Sequence, residues 1–183
     1  EIRRAGFGGP SCAKLDRLGE LLVEATANGL KVVVYSFFLD VLGWAQTVAS
    51  ATVFGPLTGA VPPVERQAMV DAFTAHPGPA VLFAQIQAGG VGLNLQAASV
   101  VVLCEPQLTP TSEEQAIARA HRMGQVRPVQ VHRLLAVDTI DERITRLLAG
   151  KRADFDAYAR RSELAEAAGA VDVTFGDLGK RLV

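Results

Sequence analysis

"AVLFAQIQAGGVGLNLQAASVVVLCE", residues 80–105, holds two apolar runs on either side of a glycine-rich loop. Residues 80–84 and 99–105 are short, valine-rich and bounded by turn residues, the composition of strands buried on both faces of a parallel sheet. Between them, "AGGVGLN" (88–94) frees the backbone. Gly89, Gly90 and Gly92 can bring N–H groups close to an oxygen-rich ligand, and Asn94 can fix the turn. As a dinucleotide fingerprint the loop is incomplete. Leu95 stands where the third glycine belongs, and Glu105 comes too early to hold a ribose. Read alone, the loop is a tight turn before it is a ligand site.

Working outward, the same alternation continues in both directions. "KVVVYSFF" (31–38) is another buried strand, preceded by a helix whose Leu15, Leu18, Leu22 and Ala25 recur at helical spacing and which Asn28-Gly29 stops. A helical pattern over 39–50 leads to a short strand within 51–59. Pro62 and Pro63 then open a helix through Phe73, since proline is tolerated in a first turn, and "HPGP" (76–79) breaks it. Downstream, 109–123 predicts a capped helix and 128–137 a last strand. A long helix starts at Thr139, with Thr139 and Glu142 as a capping box and Ile140, Ile144, Leu147 and Leu148 as its apolar stripe. Phe155 and Tyr158 can continue that stripe. Strands alternating with helices give an α/β domain with a mainly parallel sheet flanked by helices. Ligands in such sheets sit at the carboxyl ends of the strands. Function is therefore expected at Ser36-Phe37, at Gln85 to Asn94, and from Glu105 to Arg122.

Composition sets bounds on that function. The chain has 183 residues, is 49% hydrophobic and carries a formal net charge of −1, so any polyanion-binding surface is local. Such a locality exists: no Asp or Glu lies between Gln115 and Val137, while Arg119, Arg122, Arg127 and Arg133 do. Cys12 and Cys104 are far apart and His76, His121 and His132 are scattered, so no metal site is expected. No segment is apolar and long enough for a membrane span, and the chain reads as soluble and intracellular.

The segment "EEQAIARAHRMGQVRP" (113–128) carries the strongest chemistry. On one helix, Gln115, Arg119 and Arg122 stand at i, i+4 and i+7 and share a face, with Ala116, Ala120 and Met123 on a neighbouring face suited to the sheet. Either Thr111 with Glu114 or Ser112 with Gln115 can form the cap. A solvated basic helix and a grip for an anion fit this stretch equally. The sequence contains no GxxxxGK[ST] loop and no magnesium-binding acidic pair, so a nucleotide triphosphate would find only part of its site here.

Taken in order, these pieces resemble the C-terminal RecA-like lobe of a Swi/Snf-type ATPase, a branch of helicase superfamily II. The likeness runs through "SCAKLDRLGELL", "KVVVYSFF", "GPLTGAVPPVERQAMVDAF", "AGGVGLNLQAASVVVLCEP" and "QAIARAHRMGQVRPVQVHRLLAVDTIDERI", nearly all of residues 11–148. Superfamily II helicases carry Gln-x-x-Gly-Arg-x-x-Arg in their sixth motif. Gln115, Ala118, Arg119 and Arg122 fall on that spacing, with Ala118 replacing the glycine. "RAHRMGQ", with Gln125 after Gly124, looks like the Swi/Snf branch rather than a DEAD-box RNA helicase.

The resemblance implies a RecA-like three-layer α/β domain over 11–138. An irregular segment (1–10) precedes it, and a bracing helix (139–168) and an irregular tail (169–183) follow. It implies ATP with Mg²⁺, bound mainly by an N-terminal RecA-like lobe of the same polypeptide that is absent from this chain. Arg119 and Arg122 would reach the γ-phosphate as arginine fingers, solvent-facing when the lobe is alone. Gln115 would orient the site, with Gly90, Gly92 and Asn94 shaping the loop beside it. Double-stranded DNA would be held by its backbone at Ser36, Phe37, Thr58, Gly59, Gln85, Ala88 and Gly89. The implied output is DNA translocation or remodelling of DNA-bound protein, away from membranes, and the composition of the chain points to a bacterial cytoplasm, at the nucleoid. The chain departs from the family at Ala84-Gln85, where a Ser-Thr pair is usual, at Leu108-Thr109-Pro110, usually aromatic-Asn-Pro, and at Glu105, usually aspartate. The alternatives are a stand-alone Rossmann-like dinucleotide enzyme and a non-catalytic interaction module.

Overall fold

The computed structural model describes residues 7, 9–88, 93–107, 109–121 and 128–150. In chain order the elements are α1 (Ala13–Ala27), β1 (Val32–Ser36), α2 (Leu39–Thr47), β2 (Thr52–Leu57), α3 (Pro63–Ala75), β3 (Ala80–Gln85), β4 (Val100–Leu103), α4 (Pro110–Ala120) and β5 (Gln130–Arg133). Residues 140–150 are also helical. The chain forms two compact units, Glu1–Ile144 and Thr145–Val183. The expected segment 1–10 lies largely outside the described residues, and the continuation of the last helix past 150 and the tail lie wholly outside them.

The strands form one sheet in the order β2-β3-β1-β4-β5, every neighbouring pair parallel. The run at 32–36 sits at its centre because all five residues are buried. A strand's side chains alternate between faces, so two apolar layers arise from one sequence. Val32 and Val34 join Leu15, Leu18 and Leu22 of α1 and Val41, Leu42 and Ala45 of α2. Val33 and Tyr35 join Val70 and Phe73 of α3 and Ala116 and Ala120 of α4 on the other side. None of the helices α1 to α4 has a side-chain bond at its N-cap. A cap contributes about 1 kcal/mol, whereas one fully buried leucine contributes roughly 1.5–3 kcal/mol. Packing on the sheet decides where these helices form.

That competition corrects the expected start and end of α4. The helix begins at Pro110 with Thr109 before it, so Thr111 and Ser112 lie inside its first turn and neither expected capping box marks its start. Proline's fixed φ suits the first helical position. At the other end the helix runs to Ala120 and His121 is extended (φ −99, ψ 100), while residues 122 and 123 of the expected helix lie outside the described residues. Gln115 and Arg119 therefore share a helical face, and Arg122 lies outside the described residues. Ala116 and Ala120 are fully buried against the sheet, as their spacing predicts.

A buried ion pair ties α1 to the start of the last helix. Lys14 and Asp141 are 4% and 0% exposed, with Lys14 Nζ 2.5 Å from Asp141 Oδ2. Lys14 also donates to the Cys104 carbonyl at 3.0 Å, and Asp141 Oδ2 accepts the Ala136 N–H at 3.0 Å. At the start of the last helix the Thr139 hydroxyl accepts the Asp141 N–H at 3.2 Å, a cap on residue 141, one before the Glu142 of the expected box.

Gly55 lets β2 approach β3. Its φ is +94, and an added Cβ would collide with the Phe83 carbonyl oxygen and lie 3.0 Å from the Leu57 nitrogen. Gly55→Ala is expected to destabilise the chain by about 2–4 kcal/mol, combining strain with a backbone clash. Gly29, at φ +70, has open space around its Cα, so Gly29→Ala should cost only about 1–2 kcal/mol. Urea denaturation of the two variants checks this; equal shifts would refute the steric account.

Candidate functional site at the carboxyl edge of the sheet

The carboxyl ends of β2, β3 and β1 stand in a row, since Leu57 pairs with Ala84 and Gln85 with Ser36. Just beyond them come Thr58, Ile86 and Phe37. Glu105, two residues past β4, joins this edge across the sheet. Its carboxylate accepts from the Ser36 hydroxyl at 3.0 and 3.2 Å, from the Phe37 N–H and from the Gln107 amide at 3.3 Å. Burial pushes the Glu105 carboxyl above its ordinary range, while those donors and the Lys14 charge pull it back. Glu105 thereby stitches the exit of β1 to the exit of β4.

Ser36 is held within this arrangement. It is 0% exposed, and its hydroxyl is committed to Glu105 and to the Phe38 N–H at 3.0 Å. It sets the turn and does not face outward. Phe37 is 41% exposed, braced edge-to-face by Phe38, and its carbonyl accepts from Gln85 Nε2 at 3.1 Å. Thr58 is half-buried and Gly59 exposed, with nothing near the position of an added Cβ at Gly59.

The glycine-rich loop is described at its two ends; Gly89, Gly90 and Gly92 lie outside the described residues. Ala88 is buried, donates its N–H to the Gln85 carbonyl at 2.9 Å, and accepts at its own carbonyl from Arg66 at 2.6 Å. Asn94 is exposed, its Oδ1 accepting the Gln96 N–H at 3.2 Å. The Leu95 N–H then donates to the Arg119 carbonyl at 3.0 Å. Two motifs far apart in sequence thus meet: the loop returns onto the last turn of the arginine helix.

Arg119 differs from its expected solvent-facing state. It is half-buried, and its Nη1 atom is buried without a full hydrogen bond among the described residues. Its neighbour is the Tyr35 phenol at the end of β1, which also lacks a full hydrogen bond. Burial pushes that phenol up to about 12, and the Arg119 guanidinium pulls the other way. Gln115, one turn earlier, is exposed. Glu113 forms an ion pair with Arg133 of β5, holding the start of α4 against the sheet edge. Sequence reading missed Tyr35 and Arg66. The one legible sign of Tyr35 was a phenol closing an otherwise aliphatic strand.

An all-parallel sheet of this order, with an arginine-bearing helix and a glycine-rich loop meeting at its carboxyl edge and no P-loop in the sequence, defines a second RecA-like lobe. Residues 13–124 match the family described as helicase conserved C-terminal domain, and the chain belongs to that family, in its Swi/Snf-type branch. This membership sets aside the stand-alone dinucleotide enzyme. The chain is 35% identical over 142 residues to an uncharacterized ATP-dependent helicase of Mycoplasma pneumoniae, covering 76% of this chain and 14% of that protein. It is 37% identical over 142 residues to the chromatin-remodeling ATPase INO80 of Cryptococcus neoformans var. neoformans, covering 76% of this chain and 8% of the relative. The crystal structure of the C-terminal part of the Fun30 ATPase domain superposes with a TM-score of 0.71 at 30% identity, over 75% of this chain and 45% of that one. The chain thus spans a small part of the length of the curated relatives it matches.

Proposed function

We propose that this chain is the second motor lobe of an ATP-dependent, DNA-stimulated translocase of the Swi/Snf type. The observation that carries the reading is the placement of Arg119, in the last turn of α4 where the return of the glycine-rich loop bonds its carbonyl at 3.0 Å, at the carboxyl edge of the sheet. A guanidinium stabilises the charge that spreads over a transferring phosphoryl group. Arg119 and Arg122 act as arginine fingers on an ATP molecule whose phosphates and Mg²⁺ are held by an N-terminal lobe with a P-loop. Gln115 orients that site, and the loop around Gly90, Gly92 and Asn94 flanks it.

The DNA backbone runs along the strand ends, against the Thr58 hydroxyl, the Gly59 N–H, Gln85, the Phe37 ring and the loop start at Ala88-Gly89. Ser36 supports that surface from below. Opening and closing of the two lobes with each ATP moves the grip along double-stranded DNA. The setting is a bacterial cytoplasm at the nucleoid, a reading that rests on the composition of the chain.

The test is turnover. The 183-residue chain alone is expected to hydrolyse no ATP, with or without DNA, and to regain DNA-stimulated hydrolysis when joined to a P-loop lobe. Turnover by the isolated chain would overturn the division of the site between two lobes. Joined to such a lobe, failure to respond to either ATP or DNA would favour the interaction-module alternative.

A further inference from the structure

We propose that Tyr35 is a positioning residue for Arg119, its phenol oxygen holding one edge of the guanidinium against the sheet while the rest of the fork remains for an anion. The inference rests on the reading of Arg119 as an arginine finger and adds to it the group that aims it. Tyr35 is 1% exposed, at the carboxyl end of the central strand and on the face that packs α4. Phenylalanine has the same ring and would fill this place without a hydroxyl. A buried hydroxyl that lacks a full hydrogen bond weakens a fold, so packing does not explain the oxygen. The Tyr35 hydroxyl and Arg119 Nη1 are both buried without a hydrogen-bond partner among the described residues, and the Arg119 guanidinium is the charge that acts on the phenol.

The backbone geometry supports the same assignment. The Arg119 carbonyl is held by the Leu95 N–H at 3.0 Å, and Ala116 and Ala120 on either side are fully buried. The main chain of the finger is therefore set, and what stays adjustable is its side chain. A guanidinium has five N–H donors in a rigid fork, so an acceptor on one edge fixes the plane in which the other edge is offered. Bidentate recognition of phosphate oxygens depends on that plane. With the phenol oxygen removed, the side chain keeps its charge and loses its aim.

The experiment is a double-mutant cycle in the two-lobe polypeptide, reading kcat and KM for ATP in DNA-stimulated hydrolysis. Tyr35→Phe is expected to lower kcat about 10- to 100-fold, the scale of a misplaced catalytic group, with KM for ATP and the melting temperature nearly unchanged. In an Arg119→Ala background the same substitution should add no further loss. A wild-type kcat for Tyr35→Phe overturns the proposal. So does a loss that multiplies with that of Arg119→Ala, or one matched by a lowered melting temperature. The Arg119→Ala corner reports separately on the underlying reading. If Arg119→Ala retains turnover, the finger assignment itself fails.

Discussion

Alanine at Arg119 or at Arg122, in a polypeptide that pairs this chain with a P-loop lobe, is expected to cut ATP turnover by about 10³–10⁵. The size of the effect follows from where the charge acts. A guanidinium that meets the phosphoryl oxygens only as negative charge spreads over them stabilises the transition state more than bound ATP. The loss should therefore fall on kcat. DNA affinity and its salt dependence should stay close to those of the parent, because neither arginine is assigned to the nucleic-acid backbone. Each phosphate contact removed from DNA would instead flatten the salt slope. A binding titration across salt concentrations, run beside the turnover assay, separates the two roles. Parallel loss of turnover, DNA affinity and salt slope would move these arginines onto the DNA. Arg119→Lys should rescue poorly, since an ammonium keeps the charge without the planar fork.

Removing one partner of the Lys14–Asp141 pair carries the largest expected cost to stability. Lys14→Met leaves the Asp141 carboxylate, at 0% exposure, without its lysine partner. Breaking a buried pair from one side costs about 3–5 kcal/mol, because the charge left behind keeps its desolvation penalty. Asp141→Leu strands the lysine in the same way and also takes the acceptor of the Ala136 N–H. The double variant Lys14→Met/Asp141→Leu should recover much of the loss, since apolar side chains of similar volume replace a buried pair at little net cost. Urea denaturation midpoints of the three variants check this. A double variant as unstable as the sum of the two singles would show that the pair acts through its separate hydrogen bonds to Cys104 and Ala136.

The elements of the fold were largely legible in the chain. Every buried strand stood out as a short apolar run, because a strand covered on both faces leaves no room for polar residues. The helix stop at Asn28-Gly29 and the helix start at Pro62-Pro63 appear where local chemistry places them. The ends of α4 were not legible. A Thr or Ser three residues before a Glu or Gln looks like a cap, yet the helix already begins at Pro110 and has ended at His121. Local signals compete at helix ends, and packing of Ala116 and Ala120 outweighs them.

By itself the sequence determined the class of this protein: a parallel α/β lobe whose Gln115, Arg119 and Arg122 stand on a helicase spacing without a P-loop. That much resides in short-range patterns, periodicity, turn residues and motif intervals, which survive in a single chain read end to end. Tertiary structure alone decided which of those residues are available. It buried the Ser36 hydroxyl under Glu105, 69 positions away, and set Lys14 against the Cys104 carbonyl, 90 positions away. It half-buried Arg119, with one guanidinium nitrogen out of solvent, where the sequence alone suggested a surface arginine. The physical reason is the same in each case. Whether a polar group faces solvent, a partner or a ligand depends on what the fold brings within hydrogen-bonding distance, and separation along the chain carries no record of that distance.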